Sequence, residues 1–222
     1  MANLLHIDSS PRTRSYSREL SAAFAESWRA ALPDSGYVHR DVAAEPVPPI
    51  TEAWTQLCDN VLETGNAALD RLHEAARTPE QRKAWAIVEP LLDELARADV
   101  VLIGAPMHNY SVPAGLKCWI DQVAFPRMSL AGRTFVVAGA RGGSYLPGAP
   151  KARFDHHESY LRDFFHGHFA VEDVHFLHSE FTNATVDPAL ADLRGRHEES
   201  RSAALAAARA LGVKLATERS AG

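Results

Sequence analysis

The chain has 222 residues, 46% of them hydrophobic, and a formal net charge of −5, which is enough for one domain with a full core. The mildly acidic balance argues against a general nucleic-acid binder, which shows a basic face. No run approaches the roughly 18 apolar residues of a membrane span, and the two cysteines, Cys58 and Cys118, make no disulfide framework and fit a reducing cytoplasm.

The opening Met-Ala-Asn-Leu-Leu-His-Ile-Asp has no basic segment followed by a long apolar one, so no secretory signal is expected. Within it, Asn3 to Asp8 predicts a first, central strand. The stretch from Asp8 to Ser17 is rich in hydroxyl and basic residues. After it Leu20, Ala23, Phe24, Trp28 and Ala31 recur at helical spacing. A helix N-terminus is already an anion site, because its free N–H groups and its dipole point outward. Ser10, Ser15 and Ser17 add hydroxyls, and Arg12 or Arg14 a cation. There is no G-x-G-x-x-G and no Walker loop, so a phosphate cradle here is built of serines, which points to a mononucleotide. The same serines also suit plain N-caps and turns.

Tyr37 to Val42 predicts a second strand near an edge, and the prolines of 46–49 prevent regular structure after it. Residues 51–74 predict a helix interrupted near Gly65-Asn66. Thr78-Pro79-Glu80-Gln81 is a capping box with Pro at the first helical position. The helix it opens carries Trp85, Val88, Leu91, Leu92 and Leu95, with a kink or break expected at Pro90. This excursion is longer than a crossover needs. It suits a lid or a dimer surface, with Trp54 and Leu57 covering a neighbouring site; a core position suits Trp54 as well.

Asp99 to Gly104 predicts a buried parallel strand. The loop after it, Ala105-Pro106-Met107-His108-Asn109-Tyr110, precedes an amphipathic helix over Leu116–Phe125. Ligands of open α/β sheets bind outside the carboxyl ends of strands. An asparagine amide, a methionine and a tyrosine at such an end suit a planar, polar-edged ring; an ordinary strand-to-helix connection suits them too. Arg133 to Ala140 predicts a fourth strand, ending in Arg141-Gly142-Gly143-Ser144-Tyr145, where glycines permit close backbone approach. Residues 151–165 predict a helix, Val171 to Leu177 a fifth strand, and Pro188 to Thr217 a closing helix. The pattern is α/β: one domain over 1–222, a doubly wound five-stranded parallel sheet of order 2-1-3-4-5 with helices on both faces.

His156, His157, His166, His168, His175 and His178 cluster in sequence. A ligand set needs convergent geometry, and these fall on different elements, so no metal ligands are assigned. No G-x-S-x-G elbow supports a serine hydrolase.

Taken together, the three loops resemble those of the FMN-dependent NADH:azoreductases, which are also NAD(P)H:quinone oxidoreductases of the flavodoxin-like superfamily. The resemblance rests on Asp8-Ser9-Ser10-Pro11-Arg12 with Ser15-Tyr16-Ser17 and Leu20, on Ala105 to Tyr110 with Pro113, Leu116, Lys117 and Asp121, and on Arg141-Gly142-Gly143. It implies a flavodoxin-like fold with FMN held by Ser10, Ser15, Tyr16 and Ser17 at the phosphate and ribityl chain. It implies Pro106, Met107, His108, Asn109 and Tyr110 along the isoalloxazine edge, and Ala140, Arg141, Gly142, Gly143 and Tyr145 at the pyrimidine side. It further implies electron transfer from NADH or NADPH through FMN to quinones or azo compounds by a ping-pong cycle. A cytoplasmic homodimer follows, with Trp54 and Phe125 as pocket wall. Family members commonly carry Tyr or Trp where His108 stands, Phe at Tyr110, and Ser or Thr at Ala140. The competing classes are a flavodoxin-like electron carrier and a reductase that releases reduced FMN.

Overall fold

The computed structural model describes residues 2–220. Five strands, β1 (Asn3–Asp8), β2 (Gly36–Asp41), β3 (Val100–Pro106), β4 (Thr134–Ala140) and β5 (Asp173–Ser179), form one sheet in the order β2-β1-β3-β4-β5. Every pairing is parallel. The helices are α1 (Tyr16–Ala31), α2 (Glu52–Thr64), α3 (Pro79–Arg97), α4 (Ala114–Val123), α5 (His156–Gly167) and α6 (Arg194–Ser220).

Every residue of β3 and β4 is buried, because a central parallel strand is covered on both faces. Alternate side chains serve the two faces. Leu4, Val100, Leu102, Val136 and Ala138 meet α1 and α6. Leu5, Ile7, Val101, Ile103, Phe135 and Val137 share the larger core with α2, α3, α4 and α5.

The element ends follow local chemistry. Gly65 takes φ 68° and closes α2, and a 3-10 segment, Leu69–Ala75, follows. Thr78 and Gln81 cap each other reciprocally at the start of α3, at 3.0 and 3.2 Å. Pro90 does not break α3, which runs on to Arg97. The proline is exposed, so the carbonyl it leaves unbonded one turn earlier can be hydrated. Asp155 accepts from the Glu158 N–H at 3.0 Å, so α5 begins at His156 after a 3-10 turn at Ala152–Phe154. The closing helix likewise starts late. Pro188–Leu193 is a 3-10 segment, with Leu190 outside helical geometry at φ −109°.

The long excursion between β2 and β3 is part of the core, not a lid. Leu57, Val61, Leu72, Ala75, Val88 and Leu95 all belong to the larger cluster. Trp54 and Phe125, expected as pocket wall, are buried in that same cluster, with ring centroids 5.4 Å apart. The Trp54 indole N–H donates to the Gln122 carbonyl at 3.1 Å. The inward stripe of α2 carries both Trp54 and Leu57, so the large ring is spent on packing α2 against α4.

Helices α1 and α6 approach most closely at a row of small residues, Ala204, Ala208, Gly212 and Ala216, spaced one turn apart and buried. A Cβ on Gly212 would stand 2.6 Å from the Phe24 carbonyl oxygen and 3.2 Å from the Trp28 nitrogen, both backbone atoms. For Gly212→Ala, helix propensity favours the variant by about 1 kcal/mol, whereas overpacking a tight contact costs roughly 1–3 kcal/mol. The clash should win. We expect a net destabilisation in urea unfolding, and a gain in stability would show that the two helices can part freely.

Candidate functional site

Sheet order decides what meets at the carboxyl ends. The loops after β1, β3, β4 and β5 stand side by side in that sequence, and they border one cleft of about 380 Å³. The loop after β1 contributes Ser10, Arg12, Arg14, Ser15 and Tyr16; the loop after β3 contributes Pro106 to Tyr110. On the far side stand Ala140, Gly142, Tyr145 and Lys151, then Thr182, Asn183, Thr185 and Val186. Three cations and no carboxylate line it, in a chain of net charge −5.

The β1 end gathers unpaired N–H groups and arginines. Ser9 is pinned to β3, its Oγ and its N–H both donating to the Gly104 carbonyl at 2.8 and 3.0 Å. Arg18 donates to the Ser10 carbonyl through Nε at 3.2 Å and a terminal nitrogen at 2.6 Å. The same guanidinium reaches Asp8 at 3.3 Å and Asp41 at 2.7 Å. This bracket leaves the N–H groups of Ser15, Tyr16 and Ser17 without acceptors among the described residues, at the positive end of α1. Ser17, expected in the cradle, is fully buried and backs Ser15, their hydroxyls 2.9 Å apart.

The β3 loop is a tight hairpin tip. His108 and Ser111 exchange both backbone hydrogen bonds at 2.9 Å. The two residues between them, Asn109 and Tyr110, take φ 49° and 70°. Two consecutive left-handed residues are the geometry for which Asn-Gly is the usual choice. Tyr110 occupies the glycine position, and a bulky side chain there is strained. Its ring stands 43% exposed, near Phe154 and Tyr145 at centroid distances of 5.6 and 6.4 Å. Burial and the nearby Arg12 guanidinium hold the His108 imidazole below its ordinary pKa, so at neutral pH it is uncharged. Burial raises the Tyr145 phenol, which keeps it a hydrogen-bond donor.

Arg141 does not face the cleft. It is 2% exposed and turns behind the loop, reaching Asp155 at 3.0 Å, Glu158 at 3.2 Å and Glu180 at 3.7 Å. It also lies 2.8 Å from His178 Nε2. Glu158 is pushed down to about 2, chiefly by its hydrogen bond from His178 and further by Arg162 and Arg141. Burial lowers His157 to about 3, with His178 and Arg141 adding to the shift. Glu180 accepts from the Ser144 hydroxyl at 2.7 Å and the Tyr145 N–H at 2.9 Å, so the charge cluster shapes the loop from behind.

Gly142 lines the cleft, but a Cβ there would stand 2.7 Å from the Asn183 amide. The missing side chain makes room for a neighbouring loop. Gly143 lies instead on an adjoining cavity. Neither glycine N–H donates to a group among the described residues. The loop after β5 was not singled out from the sequence. It pairs with the β4 loop through Thr182, Asn183 and Phe181 N–H bonds to the carbonyls of Arg141, Gly142 and Gly143 at 3.0, 3.2 and 3.3 Å. Its polar run Thr182-Asn183 at a strand's carboxyl end is the signal that could have found it.

The histidines of 156–178 disperse. His157 and His178 are in the Arg141 cluster, while His168 Nε2 lies 3.1 Å from the Phe125 carbonyl. His166 and His175 pair at the surface with Glu172 and Asp173, at 3.3 and 2.9 Å.

A family profile described as flavodoxin-like fold (Flavodoxin_2) matches residues 2–204. The chain is 63% identical, over 96% of its length and 98% of the relative's, to an FMN-dependent NADH:quinone oxidoreductase of Nocardia farcinica. It is 40% identical to one of Streptomyces coelicolor, over 92% of this chain and 90% of that one. In fold it is similar to an azoreductase of Bacillus anthracis, with a TM-score of 0.79 at 22% identity, covering 96% of this chain and 100% of that one. The chain belongs to the flavodoxin-like fold family, among the relatives named FMN-dependent NADH:quinone oxidoreductases.

Proposed function

We propose that this protein is an FMN-dependent oxidoreductase that passes electrons from NADH or NADPH to quinones and aromatic azo compounds. The observation that carries the reading is the gradient along the cleft. Unused N–H groups and arginines stand at the β1 end, Met107 and aromatic rings in the middle, and amide and backbone donors at the β4–β5 end.

The residues fit FMN on those grounds. Ser10, Ser15, Arg12 and the first N–H groups of α1 would hold the phosphate. Pro106, Met107 and the 108–110 tip would line the ring, and Gly142, Asn183 and Thr182 would meet its polar edge. Bound there, FMN supplies two-electron acceptance and donation that no side chain of this chain offers. The Gly142 N–H, which has no acceptor among the described residues, would stabilise negative charge at that edge. The Arg141 guanidinium takes no part in this, because it is occupied behind the loop. His108, uncharged and beside Arg12, is a poor acid. Tyr145, kept protonated, is the better candidate to hold a proton near an acceptor. A ping-pong order, with donor and acceptor using the one cleft in turn, belongs to the same proposal.

Tyr110, Leu146 and Val186 stand 43%, 58% and 71% exposed around this region, which supports a homodimer whose second subunit covers the cleft. No helix among the described residues is long and apolar enough to cross a membrane, and cytoplasmic placement belongs to the same proposal.

FMN-loaded protein should oxidise NADH in the presence of a quinone or an azo dye, with parallel double-reciprocal lines. Bound flavin that turns over with neither acceptor would sink the enzyme reading, and loss of FMN on gel filtration would favour a flavin-releasing reductase. Ser10→Ala should weaken FMN by roughly 1.5–3 kcal/mol, the worth of one hydrogen bond to a charged group, while riboflavin, which lacks the phosphate, binds as before. Equal losses for both flavins would remove Ser10 from the phosphate site. Tyr110→Gly should relax the hairpin tip and raise stability by about 1 kcal/mol, yet raise the KM for the acceptor. A variant both less stable and kinetically unchanged would contradict the strain and the role together.

A further inference from the structure

Away from the cleft, at the β1–β2 edge of the sheet, three side chains converge that the redox reading does not use. His6 and Asp8 lie two apart on β1 and so project to one face. His39 stands directly across the pairing from His6 on β2. The two imidazoles are 4.6 Å apart between centroids. His6 Nε2 lies 3.5 Å from Asp8 Oδ1, and His39 Nε2 lies 3.1 Å from Asp8 Oδ2. None of the three lines the cleft.

We propose that His6, Asp8 and His39 form a binding site for a divalent transition-metal ion of the zinc type. Ligands about 2.0–2.1 Å from a tetrahedral ion stand roughly 3.3–3.4 Å from each other. Each imidazole lies near that distance from its own Asp8 oxygen, His6 from Oδ1 and His39 from Oδ2, and one ligand atom from each residue falls within a 4.8 Å set. Closing the set asks only His39 to move inward, and its side chain is 41% exposed.

A second, independent observation points into the same space. His6 is 3% exposed, and its Nε2 has no hydrogen-bond partner. At 3.5 Å the carboxylate is beyond the 2.7–2.9 Å of a charge-assisted bond. The other ring nitrogen, Nδ1, lies 2.9 Å from the Tyr37 hydroxyl. With Nδ1 donating to the Tyr37 oxygen, the ring is oriented and Nε2 keeps its lone pair beside Asp8, which is the arrangement metal-bound imidazoles use. Asp8 is steadied by Ser21, whose hydroxyl donates to Oδ1 at 2.9 Å.

Asp8 is 5% exposed, and its two oxygens face the two imidazoles. Arg18 is the competing cation, 3.3 Å from Asp8. It has Asp41 at 2.7 Å and the Ser10 carbonyl at 2.6 Å as further partners, so it can yield Asp8 without being stranded. Two imidazoles and one carboxylate favour Zn²⁺, Ni²⁺, Cu²⁺ or Co²⁺ over Mg²⁺ or Ca²⁺. The exposed edge strand leaves room for water to complete the shell.

The test is calorimetric titration of the FMN-loaded protein with Zn²⁺. We expect one ion per chain, no uptake of Mg²⁺ at the same concentration, and a loss of affinity of about tenfold or more in His39→Ala and in His6→Asn. His166→Ala and His175→Ala, which remove surface imidazoles also paired with carboxylates, should bind as the parent does. His39 is exposed, so its variant decides the matter even if His6→Asn fails to fold. Absence of a one-per-chain site, unchanged affinity in His39→Ala, or an equal loss in His175→Ala would overturn the proposal.

Discussion

The ion cluster around Arg141 fixes one whole side of the cleft. A single buried guanidinium at the end of β4 gathers Asp155 and Glu158 from the start of α5 and His178 and Glu180 from the end of β5. Glu180 then orders Ser144 and Tyr145. A buried charge cluster of this kind is weak evidence of net stability, since desolvation offsets much of the attraction. Its asymmetry matters more. With the cation removed, three carboxylates would lose a shared buried partner, and the β4 loop, the β5 loop and the N-terminus of α5 would lose their common anchor. The cluster is therefore best understood as a device for registering loops against one another.

Arg18 does the corresponding work at the other end. It neutralises Asp8 and Asp41 and ties both to the Ser10 carbonyl. The two arginines thus draw the acidic side chains behind the loops. Arg12, Arg14 and Lys151 remain in front, where they line a cleft free of carboxylates. An acidic protein presents a cationic site by sorting its charges in depth, and this gives an anionic cofactor a place to bind despite the net charge of −5.

Much of this was legible in the sequence, for physical reasons. Continuous apolar runs and helical periodicity fixed the element types and the sheet order. The carboxyl-end rule puts Ser10, Met107 and Gly142 at one end of the sheet, and all three line the cleft. What periodicity cannot supply is direction. Arg141 follows a strand end, yet its side chain turns away from the cleft toward acids on α5 and β5 that are distant in sequence. Trp54 has the chemistry of a pocket wall, but the stripe it shares with Leu57 faces α4. The loop after β5 was missed because it enters the site through Phe181 at φ 58°, a left-handed turn that no glycine advertises. His6 and His39 were passed over for the same kind of reason, since only strand pairing makes them neighbours.

That pairing also borders the loop that leaves the carboxyl end of β1. Asp8 is at once the carboxylate between His6 and His39 and a partner of Arg18, and Arg18 holds the loop that carries Ser10. A cation between the imidazoles would compete with Arg18 for Asp8 Oδ2. It would leave the guanidinium to Asp41 and the Ser10 carbonyl, changing the tension on the loop that presents the free N–H groups of α1. Binding free energies coupled through a shared residue are reciprocal. If the ion at the sheet edge and a phosphate in the cleft are coupled, each alters the other's affinity by the same factor, and Arg18 is the residue that touches both sides.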